Sequence, residues 1–404
     1  MRRRQFLSTI ACLSACTLSR GALGRARLLR VGIVGGGIVG AALAFELARS
    51  GARVALFEKV EPGCGATRNS FAWLNAFVDD AHYRELRLRS LALYRGLDRQ
   101  LGLGIRWGGY ANWASSEEQL PGWRATAAQL AGSLHPARAI DTTELMRLVP
   151  GLAPGPVSAA FYSSVDGHFD PLAATLRFIG AAQRHGATMH CPGEVQALGF
   201  SGGRLTHVMS SGGRVPLDRL VVAAGTDTPR ILEMIGFRLR LRHAPGILAH
   251  STPLPAISPV ICDAPGGLLF KQMANGTLVA SDAPEPPDLP VHHEIRERAS
   301  DFPDAALRAL HGNRILGKVQ TLLPAVRGMA LERLTLGYRP MPLDDRPIVG
   351  AVPAAPDVHV VVTHSGVTLA PILARYVTSE VLAGEREPWL SPYRPERFGG
   401  MAAS

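Results

Sequence analysis

Cysteine is sparse in this chain: five residues, Cys12, Cys16, Cys64, Cys191 and Cys262, lie scattered along 404 positions. No CxxC pair and no Cys/His ligand spacing occurs, so neither a disulfide framework nor a metal site is expected. Internal repeats and low-complexity tracts are missing as well. Beyond the first two dozen residues no apolar run is long enough to cross a bilayer. Acidic residues are absent from the first 30 positions, which hold seven arginines. The formal net charge of +10 therefore belongs mostly to this leader, and the remainder carries about +3, too little for a nucleic-acid footprint.

The leader itself has a charged start (Arg2, Arg3, Arg4), Phe6-Leu7, a short apolar run from Ile10 to Leu18, and a small-residue exit. That order is similar to a twin-arginine export signal, and residues 1–27 are read as such, which predicts a periplasmic location. Leu13-Ser14-Ala15-Cys16 also resembles a lipoprotein box. Lipidation of Cys16, giving association with a membrane through the N-terminus, is one alternative, and an uncleaved cytoplasmic extension is another.

With 47% hydrophobic residues the rest can bury a large core, and its length suits two domains or one interleaved pair. Leu28 to Val34 reads as a buried parallel strand, Ile38 to Ser50 as a helix with apolar residues at helical spacing, and Arg53 to Phe57 as a second strand. Between the first strand and the helix lies G-x-G-x-x-G. Gly35 serves a tight turn, Gly37 lets backbone approach a pyrophosphate, and Gly40 lets the helix sit close to the strand. The helix start at Ile38 and Val39 supplies N–H donors for phosphate. Glu58, 18 residues after Gly40 at the end of the second strand and followed by Lys59, can accept hydrogen bonds from ribose hydroxyls. Together these predict dinucleotide binding.

NAD and FAD share that fingerprint. Two later features bear on the choice: the small-residue loop Gly63 to Phe71, containing Ala66 and Thr67, and the strand-turn Val221 to Gly225. Further along, helices are expected over 79–101, Glu117 to Ala131, Thr142 to Leu148 and from Pro171 to His185, the last capped by Asp170. A short strand is expected over Arg106 to Trp113, and glycine pairs at 202–203 and 212–213 punctuate a small meander.

The C-terminal half carries the sharper motifs. Gly337-Tyr338-Arg339-Pro340-Met341-Pro342 leads to Asp345-Arg346-Pro347-Ile348-Val349-Gly350, and the apolar strand Val358 to Val362 leads to His364-Ser365-Gly366-Val367-Thr368. With the N-terminal fingerprint, these segments resemble the D-amino-acid oxidase and glycine oxidase superfamily over nearly all of residues 30–385. The resemblance implies an FAD-dependent oxidoreductase that takes a hydride from the α-carbon of a small amine or amino acid (a D-amino acid, a glycine- or sarcosine-like compound, or an imino acid). It implies that Arg339 grips the substrate carboxylate by a guanidinium fork. It also implies that Ala66 and Thr67 lie along the pyrophosphate, that backbone near Val195 contacts adenine, and that Gly225 closes the site. His364, Gly366, Val367 and Thr368 would face the flavin's pyrimidine edge.

A lone histidine such as His364 more often packs or hydrogen-bonds than transfers protons. Residues 326–350 contain no cysteine, so FAD is expected to be non-covalent. Tyr338, His250 and Lys271 are further candidates for shaping the pocket. No Ser, Cys or His triad stands out, and hydride transfer to a flavin needs none. The electron acceptor is expected to be oxygen or the respiratory chain. An NAD-dependent dehydrogenase and a flavin-binding accessory subunit are the alternatives.

The expected fold class is α/β, with a Rossmann-like FAD-binding domain (28–78, 166–236 and 331–390) interleaved with a mixed-sheet, α+β substrate domain (79–165 and 237–330). Residues 391–404 are read as a C-terminal tail.

Overall fold

A computed structural model describes residues 28–119, 137–282 and 305–398, together with Pro121 and Arg124. The segment read as an export signal, with Cys12 and Cys16, and most of the helix expected over Glu117 to Ala131 lie outside the described residues. Glu117–Gln119 forms a single 3₁₀ turn.

The helices are α1 (Ile38–Arg49), α2 (Ala81–Leu101), α3 (Thr142–Leu148), α4 (Pro171–Arg184), α5 (Thr228–Glu233), α6 (Ala305–Leu322) and α7 (Gly366–Ala383). The first sheet has six strands, in the order Ile348–Val352, Ala355–Val362, Arg219–Val222, Arg30–Val34, Arg53–Phe57 and Thr188–His190. Every neighbouring pair is parallel except the first, which is antiparallel.

Alternation within the near-continuous apolar strands divides their side chains between two cores. Val31, Ile33, Val54, Leu56 and Val221 pack with α1, α4 and α7. Val34, Ala55, Phe57, Leu220 and Val222 pack with α5 and with a three-stranded meander, Val195–Ser201, Arg204–Ser210 and Gly213–Pro216. Both faces are covered, and the sequence is apolar at every step for that reason. α4 starts as its sequence dictates: Asp170 Oδ1 accepts from the N–H groups of Leu172 (2.9 Å) and Ala173 (3.0 Å), with Pro171 opening the helix.

The second sheet has eight strands, in the order Leu331–Pro342, Leu241–Pro253, Thr277–Asp282, Leu268–Gln272, Ile261–Ala264, Tyr110–Ala114, Ala159–Ser163 and Ala137–Ile140. One pair, Ile261–Ala264 with Tyr110–Ala114, is parallel, and there the two inserted segments join. One face packs on α3 and α6 through Ile247, Ala249, Phe270 and Ala280 against Leu145, Ile315 and Val319. The alternate residues Gly246, Leu248, Leu269 and Ser281 face a cavity between the two sheets.

Three expected boundaries shift. Helix 79–101 is expected with the substrate domain, but Tyr83, Leu86, Leu91 and Tyr94 of α2 belong to the core that holds α1 and α7. An amphipathic pattern declares a buried face without naming what covers it. Residues 331–342, expected with the FAD domain, instead pair with Leu241–Pro253 across the second sheet, from Leu331 opposite Ser251 to Pro342 opposite Leu241. The strand expected over Arg106 to Trp113 runs Tyr110–Ala114, with Arg106 in an isolated bridge to His168.

The described part of the tail is also integral to the fold. Tyr393 is buried in the same core as Leu390, which lies just before the tail. Arg394 forks onto Glu380 of α7, with Nη1 to Oε2 at 2.9 Å and Nη2 to Oε1 at 2.5 Å, and Glu387 N–H donates to the same carboxylate at 2.6 Å. Both charges are nearly fully buried. Removing one partner strands the other in a medium that cannot solvate it. Glu380→Ala is therefore expected to cost about 3–5 kcal/mol, read by calorimetric or denaturant unfolding. A loss under about 1 kcal/mol would mean that Arg394 regains water in the variant.

Candidate active site

The glycine bend is as tight as its spacing implies. Gly35 has φ of +109°, and a Cβ on Gly40 would stand 1.9 Å from the Gly35 carbonyl oxygen, so the backbone of α1 rests directly on the strand end. Around this bend the N–H of Gly36 donates to Glu58 Oε2 (2.8 Å) and the N–H of Val60 to Oε1 (2.9 Å). Ile38 N–H donates to Thr67 Oγ1 at 3.1 Å. A buried carboxylate held by two backbone donors keeps free lone pairs for hydroxyl groups.

A cavity of about 710 Å³ opens from this bend and runs between the two sheets. Gly35, Gly37, Ile38, Glu58 and Lys59 line it at the bend, Ala66, Thr67 and Gly225 line it as well, and Arg339, His364, Gly366, Val367 and Thr368 form what is called its far end, to which Val39 also reaches, its Cγ2 3.1 Å from where a Gly366 Cβ would stand. The bend thus gathers segments that lie more than 300 residues apart in sequence. Gly40 serves the bend from behind. Val195 stands apart from the cavity lining: its side chain is buried in the core beneath the meander, and its carbonyl accepts from Arg230 Nη1 at 3.2 Å.

The far end is built on the start of α7. The N–H groups of Gly366, Val367 and Thr368 precede the first intrahelical bonds, and the first described helical acceptor, Ser365 O, serves Leu369. Pro371 cannot donate to Val367 O, and Tyr94 Oη of α2 takes that carbonyl at 2.5 Å. Ser90 Oγ donates to Thr368 O at 2.6 Å. Ser365 Oγ lies 3.1 Å from His364 Nε2. Burial, reinforced by the Arg87 and Arg339 charges, pushes the His364 imidazole down to about 4. It is neutral at pH 7, which removes it as a general acid. Arg339 enters from the second sheet, its Nε 3.5 Å from Ala244 O.

Sequence reasoning missed part of this wall. Arg87 of α2 is buried and lines the cavity. Tyr83, Arg87, Ser90 and Tyr94, spaced 4, 3 and 4 apart, share the buried face of α2. An arginine on that stripe is the signal that could have found it. Phe71, Trp73 and Phe77 form an apolar side of the cavity. Trp73 stacks on Tyr110 (4.5 Å between centroids) and donates Nε1–H to Asp166 Oδ2 at 2.9 Å, and Tyr110 Oη donates to Asp263 Oδ2 at 2.6 Å.

None of the other pocket candidates reaches the cavity wall. Tyr338 alternates with Gly337 and Arg339 along its strand, so its side chain leaves the opposite face. His250 bonds Thr335 Oγ1 at 3.2 Å and is pushed down to about 3 by burial. Lys271 lies behind Phe71, its Nζ 4.9 Å from the ring centre, and burial lowers it to about 7. Among the described residues no cluster of His, Cys, Asp or Glu could hold a metal ion.

The residues present fit a flavin dinucleotide. Backbone is bared at Gly35 and Gly37, a buried carboxylate stands at one end of an elongated cavity, and the buried Arg87 Nε and His364 Nδ1 lack partners at the other. A family model described as FAD dependent oxidoreductase (DAO) matches residues 30–380. One of the subunits of the opine oxidase of Agrobacterium tumefaciens (strain Ach5) is 27% identical over 383 residues, covering 90% of this chain and 96% of that protein. The structure of L-proline dehydrogenase from P. horikoshii superposes with a TM-score of 0.80 at 22% identity, over 92% of this chain and 98% of the other. That of glycine oxidase from Geobacillus kaustophilus gives 0.79 at 22% identity, over 91% and 98%.

The neutral histidine has a pH consequence. A folded-state value near 4 lies below the unfolded value of about 6.5, so His364 contributes stability that is fully present above pH 6.5 and lost as pH falls toward 4. The loss approaches about 1.4 kcal/mol per pH unit for one such group. In unfolding titrations between pH 7 and 4.5, His364→Gln is expected to flatten the slope by close to one proton. An unchanged slope would mean that His364 takes up its proton alike in the folded and unfolded chain.

Proposed function

Since the chain belongs to the DAO family of FAD-dependent oxidoreductases, which act on amino acids or amines with FAD held non-covalently, we propose that its substrate is a small amino acid bound by its carboxylate at Arg339. Secondary amino acids, the N-substituted and cyclic kinds, are the favoured class. The observation that carries this reading is the position of Arg339 at the far end of the cavity, opposite the Glu58 end and beside the wall of Phe71, Trp73 and Phe77.

Bound FAD supplies the two-electron acceptor for the substrate's α-hydrogen. The chain supplies the alignment. The Arg339 guanidinium has the geometry to pair with a carboxylate through two parallel bonds, which fixes orientation as well as position. Its strand is paired with a neighbour along its whole length, so the guanidinium projects from a stiff base. The aromatic wall keeps water from the amine and receives an apolar N-substituent. Of the titratable groups lining the far end, Arg87 and Arg339 are cations and His364 is neutral. Among the described residues no carboxylate lines that end to take a proton, so the reactive form is the neutral amine, and two guanidiniums favour its loss of a proton. The cyclic amine named for the proline dehydrogenase and the opines named for the relative from Agrobacterium support the secondary-amine class.

That relative is named as one part of a multi-chain oxidase, which also supports a second reading in which this chain turns over inside a larger assembly. Bleaching of the flavin in the purified single chain by an amino acid would argue against any such need. The arginine-rich leader supports export by the twin-arginine route, with Cys16 as the anchoring site if it is lipidated. Oxygen uptake against dye reduction tells oxygen from a respiratory-chain acceptor.

The reading is tested by anaerobic flavin bleaching with glycine, proline, N-methyl glycine and N-carboxyalkyl amino acids, and with the matching amines that lack a carboxylate. Arg339→Met is expected to keep FAD and to weaken carboxylated substrates at least 100-fold in kcat/KM, with little effect on the uncharged amines, since a buried charge-assisted pair is worth about 2–4 kcal/mol. Equal losses for both substrate sets would take the carboxylate away from Arg339.

A further inference from the structure

The far end of the cavity holds a cation that the protein leaves unneutralised. Arg87 is 5% exposed. Its Nη1 donates to Asn75 Oδ1 at 2.8 Å and toward Phe77 O at 3.4 Å, and its Nη2 donates to Ser365 Oγ at 2.6 Å. The guanidinium carbon sits 4.7 Å over the Tyr83 ring. All of these partners are formally neutral. Among the described residues no carboxylate lies within ion-pair distance of Arg87, and its buried Nε has no hydrogen-bond partner. Asp80, the acid that caps the same helix, is taken by Arg346 at 2.8 Å. Holding an unpaired charge out of water costs several kcal/mol, so its retention calls for an anion that arrives with the ligand.

The position of Arg87 tells which part of the ligand that is. Its anchor, Ser365, immediately precedes Gly366, Val367 and Thr368, whose N–H groups open α7 ahead of its first intrahelical bond, so the guanidinium and the positive end of α7 converge on one spot. Both come from the first sheet's side of the cavity, whereas Arg339 enters from the second sheet. A dinucleotide whose ribose sits at Glu58 extends its ring system to this far end. The oxidised ring is neutral there, and the two-electron-reduced ring carries one negative charge on its pyrimidine half.

We propose that Arg87 is a positioning and electrostatic residue for the cofactor: through Ser365 and the α7 N-terminus it stabilises the negative charge of the reduced flavin and so raises its reduction potential. The proposal does not depend on which amino acid is oxidised, because it is read without substrate.

Sulfite is the probe. It adds to the oxidised flavin and leaves negative charge on the same pyrimidine half. With FAD bound, Arg87→Gln is expected to raise the sulfite Kd at least tenfold and to lower the midpoint potential, by about 30 mV for each tenfold in a two-electron couple. Arg87→Lys, which keeps the charge, is expected to restore most of both. Unchanged sulfite affinity and potential in the glutamine variant would overturn the proposal. So would a lysine variant as impaired as the glutamine one, since geometry rather than charge would then be at work. Unchanged potential with a selective loss of dicarboxylate substrates would also overturn it, by assigning Arg87 to the substrate. Should the glutamine variant fail to hold FAD, Asn75→Asp neutralises the guanidinium in place. It is expected to shift both readouts in the same direction, and no shift there would equally sink the idea.

Discussion

A backbone-on-backbone contact governs this molecule. Where α1 leaves the first strand, the hydrogen of Gly40 is all that fits against the carbonyl of Gly35. That approach lets the helix begin at once, with Ile38 N–H on Thr67 Oγ1, and sets Gly36 against the Glu58 carboxylate. The strand Arg30–Val34 has Arg53–Phe57 on one side and Arg219–Val222 on the other. The chain therefore departs to opposite sides of it, and the loops at the strand ends splay apart to leave a crevice. Loops 58–67, 223–225 and 363–368 all meet there because the strands that deliver them run in parallel.

Charge is distributed unevenly along that crevice. One end carries Glu58 and Asp227, with Lys59 3.5 Å from Asp227, and suits hydroxyl groups. The other carries two guanidiniums, a helix N-terminus and a histidine kept neutral, and suits a carboxylate and a ring that gains negative charge. The aromatic wall at that end lowers the local dielectric, so each charge acts more strongly than it would in water. Burial holds His364 deprotonated, and the same cationic field that draws a carboxylate in reinforces it.

The parts of this arrangement that are legible in the sequence are those specified locally. Gly35, Gly40 and Glu58 are within one strand-helix-strand unit, and Asp170-Pro171 announces a helix start by itself. Arg339 and the 364–368 loop follow from motif resemblance, and the structure places both on the same cavity. What stays hidden depends on long-range pairing. The leucine and arginine pattern of α2 shows a buried face without showing that α7 covers it. Residues 331–342 read as a strand, but their sheet is chosen by the partner Leu241–Pro253. Val195 is likewise singled out only by the resemblance, and the partner of its carbonyl, Arg230, lies 35 residues further along the chain.

Substrate size is the least legible property, because absent side chains help to set it. Gly246 and Gly337 lie directly opposite one another in the second sheet, two positions before Arg339, and both face the cavity. At Gly246 an added Cβ would meet nothing closer than the Gly337 carbonyl, 4.0 Å away, so a side chain there would project into open space. At Gly337 a Cβ would come within 2.7 Å of Asn69 Cβ, pressing on the loop that also carries Phe71. The glycine pair thus keeps a floor open beside the guanidinium and lets the 63–71 loop close down over it. A larger residue at 246 would shorten the space available to whatever is attached to the amine, while one at 337 would move the loop itself. Neither glycine belongs to a binding motif. Their effect exists only where the two strands pair, and a reading along one strand sees two ordinary flexible positions where the folded chain has open space on the Arg339 side of the cavity.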